Sequence, residues 1–134
     1  MKKIFKVLSS VILLISVSNV FAKDVTCPST EKIRSLGSEF VSAYNTSGFE
    51  WVLVSDSFAW KNQNWQTLFT VSLPGIYDPV NALVDGKSIF DKSPITTQPS
   101  AQVTDEKTEC GYTPTGALYK VTVVTPANFG LKRK

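Results

Sequence analysis

Helical and alternating patterns succeed one another along most of the chain. Pro28-Ser29-Thr30 precedes Glu31-Lys32-Ile33-Arg34-Ser35-Leu36-Gly37. Ser29 or Thr30 is placed to cap a short helix, Glu31 suits its positive end, and Gly37 suits its termination. Ile33, Leu36, Phe40 and Tyr44 keep helical spacing, yet Phe40, Val41 and Tyr44 suit a strand equally well. Residues 38–44 thus fit either a continued helix or a strand, and are read as a strand that follows the short helix. Asn45-Thr46-Ser47-Gly48 is a turn. Glu50-Trp51-Val52-Leu53-Val54-Ser55 has the composition of a strand continuing toward Trp60. After a loop, Lys61-Asn62-Gln63-Asn64, the chain returns with Trp65, Phe69, Val71 and Leu73 apolar at odd positions and Thr67 among them. That period marks a half-buried antiparallel strand.

Leu73-Pro74-Gly75-Ile76 fits a type II turn. Asp78-Pro79 has the form of an N-cap followed by proline at the first helical position. Val80, Leu83, Lys87 and Phe90 then recur at helical spacing, predicting a helix over 79–91 that Gly86 weakens. Residues 93–104 hold two prolines, Pro94 and Pro99, and no charge, and are expected to be a surface loop. A strand over 107–112, a turn at Thr113-Pro114-Thr115-Gly116 and a strand over 117–124 close the pattern, and Pro126 ends it. The expectation is one α+β domain over residues 23–134, an antiparallel sheet of about five strands with one or two helices covering one face.

The first 22 residues stand apart. Lys2, Lys3 and Lys6 precede an apolar run through Val11, Ile12, Leu13, Leu14 and Ile15, and Val20-Phe21-Ala22 supplies a cleavage site. This is the form of a secretory signal peptide, and the run is short for a membrane span. Cys27 lies too far past the site for a lipoprotein anchor. A soluble exported product is expected, in a periplasm or outside the cell. Removal of this segment takes three of the 14 basic residues and none of the 11 acidic ones, leaving a neutral chain. The main argument for a nucleic-acid partner goes with it. The basic stretch that remains, Lys132-Arg133-Lys134, ends a tail over 127–134.

Export changes the reading of the two cysteines, Cys27 and Cys110. In an oxidising compartment a disulfide is the default, and only one intramolecular pairing exists. The chain has no histidine and no C-x-x-C, which argues against a structural zinc site. It also removes Ser-His-Asp and Cys-His catalysis. Glycine-rich phosphate loops are absent as well. Carboxylates are the remaining catalytic candidates: Asp85 with Asp91, or Asp105, Glu106 and Glu109. Tyr44, Tyr77, Tyr112 and Tyr119 are the remaining candidates for ligating ferric haem. Trp60 and Trp65, around the amide-rich loop, read first as aromatic residues at two ends of a hairpin. With Asn62, Gln63 and Asn64 they are also a candidate contact surface for a sugar or peptide partner.

CPSTEKI from Cys27, the FEWVLV strand, NWQTLF, the NAL helix and CGY at Cys110 together resemble a family of small exported bacterial proteins of unknown function, in which hemin-binding proteins have been placed. The likeness spans most of residues 27–125. It implies an exported bacterial α+β protein with one disulfide and brings no catalytic motif. Hemin binding would single out Tyr112. The function expected from these readings is non-enzymatic binding of another protein or a surface component, without a required cofactor or metal. The alternatives are a hemin-binding protein with a tyrosine ligand, and a small carboxylate-dependent hydrolase.

Overall fold

Ser29 accepts a hydrogen bond from the Lys32 amide at 3.0 Å and so caps helix α1, Thr30–Ser35. The computed structural model describes residues 26–36 and 39–127. The segment expected to be a signal peptide, Gly37 and most of the basic tail therefore lie outside the described residues. After α1 come β1 (Phe40–Ser47), β2 (Glu50–Ser55), β3 (Phe58–Trp60) and β4 (Gln63–Ser72). Helix α2 (Pro79–Lys92) follows, then β5 (Ser100–Val103), β6 (Thr108–Gly111) and β7 (Lys120–Thr125). The sheet has seven strands in the order β1-β2-β4-β7-β6-β5, with β3 also pairing with β4. Every pairing is antiparallel.

The α+β class holds, and the strand count rises from about five to seven. Two additions explain the rise. Residues 100–103, expected within a loop, pair in register with β6. Phe58–Trp60 form a strand of their own, because Asp56 and Ser57 interrupt the chain between β2 and β3. At this break Ser55 Oγ accepts from Thr67 N at 2.8 Å and its carbonyl accepts from Gln66 Nε2 at 2.9 Å, replacing the interrupted ladder. Residues 40–44 belong to a strand rather than a helix, since pairing with β2 satisfies their backbone. β7 begins at Lys120 instead of residue 117, and Leu118 is fully exposed.

The alternation along β4 decides where the core lies. Trp65, Thr67, Phe69, Val71 and Leu73 are all buried, as the odd positions predict. Phe69 meets Phe90 of α2 at 5.1 Å between ring centroids, and Phe40 meets Phe90 at 5.0 Å, both edge-on. Each such pair adds about 0.5–1.5 kcal/mol beyond burial. Ile33 of α1, Ala82 and Phe90 of α2, and the inward residues of the sheet form one cluster, so both helices cover the same face. Val52, Val54, Thr122 and Val124 point to the opposite face by period and are buried as well. Burial on both faces accounts for the unbroken apolar run of β2.

Asp78 caps α2, accepting from the Asn81 amide at 3.1 Å. Hydrogen bonds from the Asn81 backbone and side chain hold the Asp78 carboxyl below its ordinary range. The far end of α2 is closed by Arg34 from α1. Its guanidinium donates to the carbonyls of Phe90, at 3.0 Å, and Ser93, and lies 4.9 Å from the Phe90 ring centroid. The Phe90 carbonyl also accepts from the Ser93 amide at 3.1 Å, and the Ser93 carbonyl lies at the C-cap, past the reach of intrahelical donors. Cys27 and Cys110 form the disulfide, with Cα atoms 5.9 Å apart, which fastens the segment before α1 to β6.

Gly86 has a packing reason. A Cβ there would sit 2.5 Å from Leu53 Cδ2 and 2.9 Å from Cδ1, and Leu53 is fully buried. Helix propensity alone would make Gly86→Ala stabilising by about 1 kcal/mol. Overpacking costs about 1–3 kcal/mol and outweighs that gain. Gly86→Ala is therefore expected to lower the urea unfolding midpoint, by the equivalent of up to about 2 kcal/mol; a raised midpoint would show that Leu53 yields freely.

Candidate functional site

The β3–β4 hairpin is tighter than its sequence suggests. Trp60 pairs with Gln63, so only Lys61 and Asn62 form the turn, in place of a four-residue loop. Both have positive φ, 52° and 65°. That is the type I′ geometry whose twist matches the flanking strands. Asparagine tolerates it; lysine does so at a cost of about 1–2 kcal/mol. Lys61 Nζ lies 5.7 Å from the centroid of a Trp60 ring.

The tight turn separates the two tryptophans. Trp65 faces Phe58 across the strands, is buried, and donates its indole N–H to the Trp60 carbonyl at 3.1 Å. It belongs to the core and is withdrawn from the candidate contact surface. Trp60 is half-buried against the same cluster, while Asn62, Gln63 and Asn64 are exposed. Trp65 thus has a structural role. Any contact role of the hairpin falls to its amides and to the rim of Trp60.

Those amides line the larger cleft. It has a volume of about 630 Å³, and Lys61, Gln63 and Asn64 form one wall. Val103, Thr104, Asp105, Glu106 and Lys107, from the end of β5 and the turn into β6, form the other. Between them lie Thr125 of β7 and Thr108 of β6, which are register partners on the side of the sheet that carries Cys110. Thr125 Oγ1 donates to the Asn64 carbonyl at 2.7 Å and ties the hairpin to the end of β7. Thr26, next to Cys27, also lines the cleft. The lining mixes donors, acceptors and both charge signs, unlike the mostly apolar walls of small-molecule pockets.

The acidic candidates are divided. Asp105 and Glu106 lie in the cleft, adjacent on one turn and exposed. Glu109 accepts from Lys107 at 3.4 Å. Asp85 lies elsewhere, on α2, beside a second cavity of about 340 Å³ with Ile76 and Ile89. Asp91, also on α2, does not line either cavity.

Tyr112 is removed from the haem candidates by its surroundings. Its side chain is fully buried, and its hydroxyl donates to the Pro28 carbonyl. Ligation of an iron would require breaking this bond and opening the core around the ring. Burial also pushes its pKa well above the ordinary value. Tyr119 is half-exposed and donates to the Pro94 carbonyl at 2.6 Å. Thr26, Thr108 and Thr125 carry no sequence signal for a site; strand register brings Thr108 and Thr125 to the cleft, and Thr26 follows its neighbour Cys27.

No known family model, curated protein or solved structure matches the chain.

The buried phenol sets an alkaline limit. A raised pKa in the folded state means that the stabilisation is complete below the ordinary value of 10.0 and is lost as pH rises through the folded value. Tyr112→Phe is expected to cost about 1–3 kcal/mol at neutral pH through the unpaired Pro28 carbonyl. It is also expected to flatten the loss of stability above pH 10. Urea titrations of both proteins at neutral and alkaline pH check this. Parallel pH profiles would mean that Tyr112 ionises freely in the folded chain.

Proposed function

We propose that this chain is an exported, non-enzymatic binding protein that engages another protein or a surface component through the cleft between the β3–β4 hairpin and the β5–β6 turn. One observation carries the reading. Lys61, Gln63 and Asn64 meet Asp105, Glu106 and Lys107 in a single cleft of about 630 Å³, though the two segments lie some forty residues apart. A polar, charge-mixed cleft of this kind suits a wet contact with a polar chain. The disulfide belongs to the chemistry of oxidising compartments, in keeping with export. Among the described residues, no helix is long and apolar enough to cross a membrane.

Binding is favoured over carboxylate hydrolysis by the arrangement of the walls. Both cleft carboxylates, Asp105 and Glu106, belong to the same turn, and the facing hairpin wall contributes only Lys61, Gln63 and Asn64. General acid and base chemistry on one bond calls for carboxyl groups on its two sides.

The reading is tested by titrating isotopically labelled protein with short peptides and with oligosaccharides while following amide shifts. Shifts are expected to gather on Lys61, Gln63, Asn64, Thr108 and Thr125, and the ligand should be recovered unchanged. The Gln63→Ala/Asn64→Ala variant should bind about tenfold more weakly, as the loss of two hydrogen-bonding side chains implies. Shifts centred on Ile76 and Ile89 instead, or conversion of the ligand, would contradict the reading.

A further inference from the structure

The sheet ends on two edges that are built differently. β1 carries two register irregularities, between Phe40 and Ser42 and between Asn45 and Ser47. Bulges of that sort twist an edge away from incoming strands. β5, though short, has no such irregularity. Its four residues, Ser-Ala-Gln-Val, pair with β6 without a break, contain no charge and no proline, and are all exposed. Among the described residues it has no strand on its other side.

The hydrogen-bond phase of β5 follows from the turn. Thr104 N donates to the Lys107 carbonyl at 2.9 Å. Antiparallel alternation then directs Gln102 and Ser100 toward β6, and turns the N–H and C=O of Ala101 and Val103 outward. The side chains of these two residues share a face with Thr108 and Cys110, their register partners. Val103 is half-exposed at 49% and lines the cleft. At the end of the edge stand Asp105 and Glu106, whose carboxylates form no ion pair among the described residues.

We infer that β5 is a docking edge for an extended, basic peptide segment of a partner protein, which adds to the sheet as a further strand. The backbone of Ala101 and Val103 supplies main-chain hydrogen bonds. Val103 offers an apolar contact for one side chain, and Asp105 and Glu106 attract lysine or arginine at the end of the added strand. Strand addition of this kind takes its affinity from the main chain and its selectivity from alternate side chains. The inference rests on the reading of the chain as a binding protein, but it uses backbone groups of β5 rather than the amides of the hairpin, so the two can fail separately.

The probe is a short capped peptide alternating valine and lysine, added to the purified disulfide-bonded protein. The Ala101 and Val103 amides are expected to exchange with solvent at least about fivefold more slowly in its presence, the scale of a modest hydrogen bond. Val103→Pro removes an outward N–H without touching a bond to β6, and should weaken binding about fivefold. A peptide N-methylated at alternate residues should fail to bind the wild-type protein, which tests the same bonds without a variant. Replacing lysine by glutamate in the peptide should weaken binding, and Asp105→Asn/Glu106→Gln should narrow that difference. Unchanged exchange at Ala101 and Val103 at saturating peptide, or undiminished binding of the N-methylated peptide, overturns the inference. So does equal binding of the glutamate peptide. Protection of the same two amides by self-association, seen as concentration-dependent sedimentation without peptide, would assign the edge to a second copy and overturn it too.

Discussion

The bond between Cys27 and Cys110 is the constraint on which the helical side of the molecule depends. Helix α1 has six residues, well below the length at which a helix persists alone in water. It exists because its entry is fixed. The disulfide sets Pro28 against Tyr112, whose hydroxyl donates to the Pro28 carbonyl. Thr30 Oγ1 then reaches the Thr96 carbonyl at 2.7 Å. Held there, α1 sends Ile33 into the core and Arg34 to the end of α2. One covalent tie thus orders a capping cation for a helix that begins some fifty residues later. In the chain-entropy account, closing a loop of 83 residues adds about 4.5 kcal/mol.

The same tie shapes the working end of the sheet. Cys110 lies between Thr108 and Tyr112 on one face of β6 and beyond, and Thr26 is drawn to the cleft by its neighbour Cys27. The hairpin and the β5–β6 turn flank this end, one braced by the Thr125–Asn64 hydrogen bond and the other by the Thr104–Lys107 bond. Rigid strands therefore present polar side chains on short turns, an arrangement suited to recognition.

Much of this was legible where one local pattern dominated. β4 showed its period of two, and α2 showed both its Asp78 cap and its proline start. The features that escaped depend on partners distant in sequence. Phe40, Val41 and Tyr44 satisfy helix and strand periodicity alike, and only pairing with β2 settles the matter. Ser100–Val103 has no buried face and hence no alternation to detect; its strand character comes from register with β6. The Lys61-Asn62 turn lacks the glycine that usually announces a two-residue hairpin, so the sequence reads as a longer loop with Trp60 facing Trp65. The burial of Tyr112 and Trp65 likewise follows from the packing of segments far apart in sequence, and no local pattern marks the meeting of Gln63 and Asn64 with Asp105 and Glu106.

Amide exchange on the oxidised protein and on a Cys27→Ala/Cys110→Ala variant tests the role of the disulfide most directly. If the tie orders α1, the Ile33 amide, bonded to the Ser29 carbonyl at 3.1 Å, loses its protection in the variant. Overall stability should fall by about 4.5 kcal/mol, as removing a tie across 83 residues implies. An Ile33 amide equally protected in both proteins, with stability unchanged, would show that α1 holds its place without the covalent tie and would contradict this dependence.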